Sequence, residues 1–289
     1  KYFLGVIIDF NYINFHSERI TKIIKKISSF FGFNRDVFSA ISVRIWQLVS
    51  GPLGLYLIAL TLTPQQQGFY YTFGSIMMLQ IFFDMGLSYV IVQFISHEFV
   101  KVKWLPCGTL DGNALSIERI LQIITVSMKW YSLAAFLLIC LLLPTGLFFF
   151  QIKETSDINF IWRLPWIFLV VSNALNLLLV PIFSLIEGGG QIASVYSIRF
   201  FQGVGGTLTG WITLIIGGGL FTGAVNSLVC FIIGLGWLIV KKRTLLTQIF
   251  NKIKIDFVSK TKRVFSWWDE LWPMQWRIAI SWLSGFFIF

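Results

Sequence analysis

WIFLVVSNALNLLLVPIFSLI, residues 166–186, runs for 21 positions without a charged side chain. At about 1.5 Å of rise per residue, a helix of this length crosses the ~30 Å hydrocarbon core of a bilayer. Five more apolar blocks of similar length flank it, at 38–62, 69–95, 130–150, 192–216 and 220–240. Blocks 130–150 and 220–240 are also uncharged, whereas the other three carry one charge each, Arg44, Asp84 and Arg199. The pattern predicts an all-α membrane protein, a polytopic bundle of six spans. A seventh span is expected to begin near Arg277 and to be cut off at Phe289.

Composition agrees. Of 289 residues, 56% are hydrophobic and 12% charged, about half the charge with which a soluble domain covers its surface. The net charge of +10 would raise the question of nucleic acid in a soluble chain. Here the cations collect between the apolar blocks, which points to an anionic membrane face and to no nucleic acid. Residues 1–37 hold six Lys and Arg, the segment between spans two and three holds four, and 241–277 holds nine. On the other side lie only Lys153 and Arg163, so the positive-inside rule places the N-terminus in the cytoplasm with nineteen cations against two. The expected organisation is a cytoplasmic segment at 1–37, a transmembrane bundle at 38–240, a basic cytoplasmic loop at 241–276 and a truncated seventh helix at 277–289. The outer connections are too short to build a catalytic domain, so an enzyme such as a membrane-embedded glycan polymerase or ligase is not expected.

Two basic amphipathic stretches are expected to lie along the membrane interface. In 17–33, Ile20, Ile23, Ile24, Ile27, Phe30 and Phe31 fall opposite Lys22, Lys25 and Lys26. In 241–263, Leu245, Leu246, Ile249, Phe250 and Ile253 form the apolar face. Trp267, Trp268, Trp272 and Trp276 read as an interfacial belt. Cys107, Cys140 and Cys230 have neither disulfide nor zinc spacing, and His16 and His97 are the only histidines, so no metal or cofactor is expected.

Ionisable groups within a span are costly and normally face protein or water. Arg44 lies about 9 Å from the inner end of its span, Arg199 about 10 Å and Asp84 about 16 Å. Each belongs to a polar stripe. Arg44, Gln47 and Gly51 share a face of span one, as do Gln80, Asp84 and Ser88 in span two. Asn173, Asn176, Ser184 and Glu187 share one in span four, and Arg199, Gln202, Gly206, Thr209 and Thr213 one in span five. Four such stripes predict a hydrated cavity lined by Arg44, Gln47, Asp84, Asn173, Asn176, Arg199 and Gln202, with Asp84 and Glu187 as candidates for coupling or gating. Snorkelling of the arginines and a structural Asp84–Arg44 pair are the blander alternatives. Gly51-Pro52 is expected to break span one, and Gly206-x-x-x-Gly210 to mark close helix packing. Gly188-Gly189-Gly190 reads as a tight turn and not a phosphate loop.

Residues 44–98, RIWQLVSGPLGLYLIALTLTPQQQGFYYTFGSIMMLQIFFDMGLSYVIVQFISHE, contain an early arginine, TPQQQG at the short outer turn, Phe69-Tyr70-Tyr71 and Asp84-Met85-Gly86-Leu87. This stretch resembles the opening helical pair of bacterial polysaccharide flippases, in the multidrug, oligosaccharidyl-lipid and polysaccharide exporter superfamily. WPMQWRIAISWLSGFFIF, residues 272–289, is similar to the start of their seventh helix. The resemblance implies twelve to fourteen helices in two bundles, of which this chain holds the first. It implies a bacterial inner-membrane protein that flips a polyprenyl-diphosphate-linked oligosaccharide, such as an O-antigen repeat unit, alongside polysaccharide assembly proteins. Cations in the inner half of the cavity would meet the diphosphate first, and Arg44 and Arg199 offer bidentate donors for it. The alternatives are a drug or cation antiporter of the same superfamily and a non-transporting membrane scaffold.

Overall fold

The structure, a computed structural model, describes residues 35–105, 108–153, 160–258 and 265–288. The interfacial helix expected at 17–33 lies outside them. The described chain is built almost wholly of helices: α1 (Arg35–Thr61), α2 (Pro64–Met77), α3 (Ile81–Asp84), α4 (Leu87–Glu98), α5 (Ala114–Lys153), α6 (Arg163–Gly188), α7 (Ile192–Ile215), α8 (Phe221–Lys241), α9 (Arg243–Val258) and α10 (Trp272–Ile288). A two-stranded antiparallel ribbon, β1 (Val102–Trp104) with β2 (Leu110–Gly112), is the departure from an all-α plan.

Five helical segments are long and apolar enough to cross a membrane: Arg35–Thr61, Pro64–Lys101, Ala114–Ile152, Arg163–Gly188 and Phe221–Lys241. The sixth expected span, α7, is a 24-residue helix. Its glycines, threonines, Gln202 and Arg199 dilute it below the apolarity of the other five.

Local chemistry explains the helix boundaries. Thr63 and Gln66 form a reciprocal capping box at the start of α2, the Gln66 amide donating to the Thr63 hydroxyl at 3.3 Å and the Thr63 amide to Gln66 Oε1 at 3.1 Å. Pro64 sits at the first helical position, where its missing N–H costs nothing. The expected break at Gly51-Pro52 is not found, since α1 runs through Pro52 without interruption. The break falls instead in the second span, where Met85 (φ 43°) and Gly86 (φ 71°) are left-handed and separate α3 from α4. Left-handed backbone is cheap for Gly86 and strained for Met85.

The helices alternate in direction. At one end, Asp36 Oδ1 accepts from the Ala193 amide at 2.8 Å, capping α7 from the start of α1. The Trp104 indole of β1 donates to the Gly189 carbonyl at 2.7 Å in the α6–α7 turn. Gly189 tolerates this approach because a Cβ there would lie 2.7 Å from the ring. Lys242 bonds Gln191 and holds its ammonium 5.0 Å over the Trp104 ring, and burial pushes its pKa below the ordinary lysine value. At the opposite end, Phe69, Phe73, Phe150, Phe160, Trp162 and Trp166 stack into one aromatic knot. Helix α6 is central, packing on α4, α5 and α8, whereas α1 packs chiefly on α7. There the Trp46 indole donates to Thr207 Oγ1 at 3.1 Å and leans on Trp211.

Helix α5 starts well before its expected apolar block at 130–150. Its 40 residues make it about 60 Å long, roughly twice the hydrocarbon thickness. The extension carries an ion-pair platform. Arg119 bridges Glu98 at 3.2 Å and Glu270, and Lys252 of α9 pairs with Glu118 at 2.5 Å. Leu245 and Ile249 of α9 are buried in the main core. Helix α9, within the expected interfacial stretch, therefore spends part of its apolar face on the protein itself, while Phe250 is exposed. Trp267 likewise stacks on Trp130, although Trp268 and Trp276 remain open.

Candidate functional site

Two cavities follow one another along α8. The first, about 350 Å³, is walled by Arg44 and Gln47 of α1, Asn176 of α6, Tyr196, Arg199 and Gln202 of α7, and Cys230 of α8. It lies toward the end of the bundle where β1 and β2 sit. The spacing of the polar residues explains the meeting. Arg44 and Gln47, and likewise Arg199 and Gln202, stand three apart and so share one side of a helix. Those sides of α1 and α7 face each other because Trp46 locks the two helices together.

The charges in this cavity are unequal. Arg199 Nη2 bonds Glu187 Oε2 at 3.2 Å across the α6–α7 turn, and its guanidinium lies 5.2 Å from the Tyr196 ring. Among the described residues Arg44 Nη1 donates only to the neutral Gln47 Oε1, at 3.1 Å. The local sum is one uncompensated cation beside amide groups. Gln202 Nε2 donates to the Cys230 carbonyl at 2.7 Å, tying α7 to α8 behind the site. Those two helices close tightly because a Cβ at Gly206 would lie 2.2 Å from Asn226 Oδ1, while Gly210 meets Thr222. The Gly206-x-x-x-Gly210 spacing is thus a packing seam. Thr209 and Thr213 donate to carbonyls of their own helix and line neither cavity.

The second cavity, about 410 Å³, lies toward the opposite end among α2, α6 and α8. Tyr70, Phe73, Asn173, Asn226 and Ser227 line it, and Asn176 and Cys230 line both cavities. Asn176 Nδ2 donates to the Ser227 carbonyl at 2.8 Å and its hydroxyl at 3.1 Å, which fixes the wall between them.

Of the residues expected to line one cavity, the structure brings Arg44, Gln47, Asn176, Arg199 and Gln202 together, puts Asn173 next door and separates Asp84. Asp84 lines neither cavity. It turns toward α5, where the buried Tyr131 hydroxyl donates to Oδ1, and Ser88 donates to Oδ2 at 3.0 Å. The second-span stripe faces protein for this reason, and the bland Asp84–Arg44 pair does not form. Glu187 is the partner of Arg199, not a free carboxylate. Sequence reasoning missed Tyr131, Tyr196, Asn226 and Ser227. Asn226 and Ser227 are polar residues in an uncharged span, a usable signal passed over for the glycines around them. Among the described residues no group of three His, Cys, Asp or Glu could hold a metal ion.

Comparison with protein-family models, with curated proteins and with solved structures finds no match for this chain.

Proposed function

We propose that this chain forms the first six spans, and the start of a seventh, of an exporter that carries a polyprenyl-diphosphate-linked oligosaccharide across the bacterial inner membrane. In this reading the N-terminus, the β1–β2 ribbon and 241–276 are cytoplasmic. The observation that carries it is Arg44, an arginine on a membrane-spanning helix that pairs with no carboxylate among the described residues, at a cavity where the amides of Gln47, Asn176 and Gln202 and a second arginine, Arg199, also gather. A guanidinium so placed is matched to phosphate oxygens in a two-point geometry, and Gln47, Gln202 and Asn176 add neutral hydrogen-bonding groups around it. A cation or drug antiporter would call for an unpaired carboxylate in the same place. Among the described residues the carboxylate beside the cavity, Glu187, is held by Arg199.

The test is complementation of a strain lacking its polysaccharide flippase, beside drug-susceptibility assays in an exporter-deficient strain. Restored surface glycan with unchanged drug tolerance is expected. Arg44→Ala should remove most of that restoration and Arg44→Lys return part of it, because lysine keeps the charge without the fork. Raised drug tolerance without surface glycan would overturn the proposal, and an Arg44→Ala variant equal to wild type would remove Arg44 from the site.

A further inference from the structure

The second cavity has a chemistry of its own. No residue lining it is charged. Its polar groups are only partly used by the protein. Asn173 Nδ2 is spent on the Leu169 carbonyl at 2.8 Å, and Asn176 Nδ2 on backbone and Ser227. That leaves the Oδ1 acceptors of both asparagines without a protein partner among the described residues. Asn226 has the reverse arrangement, its Oδ1 taken by the Cys230 thiol at 3.6 Å and its Nδ2 left over. The Tyr70 hydroxyl also has no hydrogen-bond partner among the described residues, and Phe73 offers an aromatic face.

These half-buried groups stay accessible at one void, so a ligand that supplies both donors and acceptors can pair with all of them there. An inorganic anion supplies acceptors only, and an apolar drug supplies neither. A ring bearing several hydroxyls supplies donors to Asn173 and Asn176, an acceptor for Asn226 and a C–H face for the aromatic rings. The volume lies within the range of small-molecule sites.

We infer that this cavity is a subsite for an uncharged, hydroxyl-rich sugar ring. It continues the Arg44 cavity through the shared Asn176 and Cys230, so that the glycan sits ahead of the diphosphate. The inference rests on the proposed export function. It differs from it in assigning the sugar to a place inside the six-helix bundle, between α2, α6 and α8.

Two probes separate the two readings: undecaprenyl diphosphate, and the same lipid carrying one N-acetylhexosamine. Binding of each to the full chain in nanodiscs is compared for wild type, Asn173→Leu, Tyr70→Phe and Arg44→Gln. Wild type should prefer the glycosylated probe. Asn173→Leu should lose that preference by about tenfold, the scale of a lost hydrogen bond plus one stranded donor. Tyr70→Phe, which keeps the ring, should lose a smaller part of it. Both should bind the sugar-free probe as wild type does, which also shows that they are folded. Arg44→Gln should weaken both probes alike. Equal wild-type affinity for the two probes, or variants that weaken both probes together, would overturn the sugar subsite while leaving the Arg44 site standing. Failure of wild type to bind either probe would overturn the export reading itself, and the subsite with it.

Discussion

Helices α1 and α6 have similar length and both qualify as spans, yet 11% of the apolar window of α1 is buried inside the protein against 67% for α6. In α6 the apolar residues face other helices on most sides, and its polar residues Ser172, Asn173 and Asn176 are held by neighbours or by its own backbone, while Ser184 is buried. In α1 the order is reversed. Leu48, Tyr56 and Leu60 point away from the bundle, while Arg44 and Gln47, also exposed, line the cavity beside α7. Hydropathy reports how long a helix can span, not what surrounds it. A central helix is set by packing, and a peripheral one is free to carry charge on its single inner face.

The largest expected effect in this contrast is on packing. Trp166 of α6 is fully buried, and its indole also donates to the Leu143 carbonyl at 3.2 Å. Trp166→Ala should cost about 3–5 kcal/mol and lower the midpoint of thermal unfolding in detergent. Leu48→Ala on the outer face of α1 should stay within about 0.5 kcal/mol of wild type. Equal losses at the two positions would break the comparison.

Glycines sharpen it at the next level. A Cβ on Gly146 would sit 2.2 Å from the Trp166 ring, whereas one on Gly51 of α1 would meet nothing within 4 Å. Gly146→Ala should therefore cost about 1–3 kcal/mol through overpacking. Gly51→Ala should be neutral or slightly stabilising, since alanine is the better helix former. The measurement is the same thermal unfolding series. A destabilised Gly51→Ala would mean that the face of α1 taken as open is in fact covered.

How far the chain could be read in advance follows from the same physics. Apolar blocks reveal spans because the bilayer demands length, and the boundaries of α6 and α8 fall close to the blocks at 166–186 and 220–240. Helix α5 outruns its apolar block at 130–150 because Ala114–Lys129 is amphipathic instead of apolar. Ile117, Ile120, Leu121 and Ile124 do carry a helical period there, so the signal was present. The break at Met85-Gly86 was not legible, and Pro52 misled. Proline removes one N–H from α1, a loss the helix absorbs, while a left-handed Met is imposed by surroundings that local sequence does not encode. Of the stripes on α1, α6 and α7, Arg44, Gln47, Asn176, Arg199 and Gln202 meet at one cavity, whereas Gly51, Ser184, Glu187, Gly206, Thr209 and Thr213 do not line it. The stripe on the second span failed because Asp84 is satisfied by Tyr131, 47 residues away, and no periodicity within one helix reports a partner on another.

That pair gives a third, smaller effect. Tyr131→Phe removes one donor to Asp84 and leaves Ser88 as its remaining hydroxyl partner. A loss of about 0.5–1.5 kcal/mol is expected, because the half-buried carboxylate keeps one hydrogen bond fewer. Asp84→Asn together with Tyr131→Phe should cost less than the sum of the two single changes, as expected for residues in direct contact. Strict additivity would show that the two side chains do not meet.

The smallest effect on stability should be at Glu187, and there the sign of the functional change decides. The Arg199 side chain is 42% exposed, so its pair with Glu187 is screened, and Glu187→Gln should cost no more than about 1 kcal/mol. The same change removes the carboxylate paired with Arg199 and, among the described residues, raises the local charge from one uncompensated cation to two. If the cavity holds a diphosphate, Glu187→Gln should tighten binding of undecaprenyl diphosphate, and Arg199→Gln should weaken it or leave it unchanged. An ion pair that served only to fasten α6 to α7 would give equal, slight losses for both. A cavity selective for cations would give the inverse order, with Glu187→Gln weakening its ligand and Arg199→Gln strengthening it. The two substitutions remove the same contact and leave opposite charges behind, so their difference isolates the electrostatic role of the cavity from its structural one.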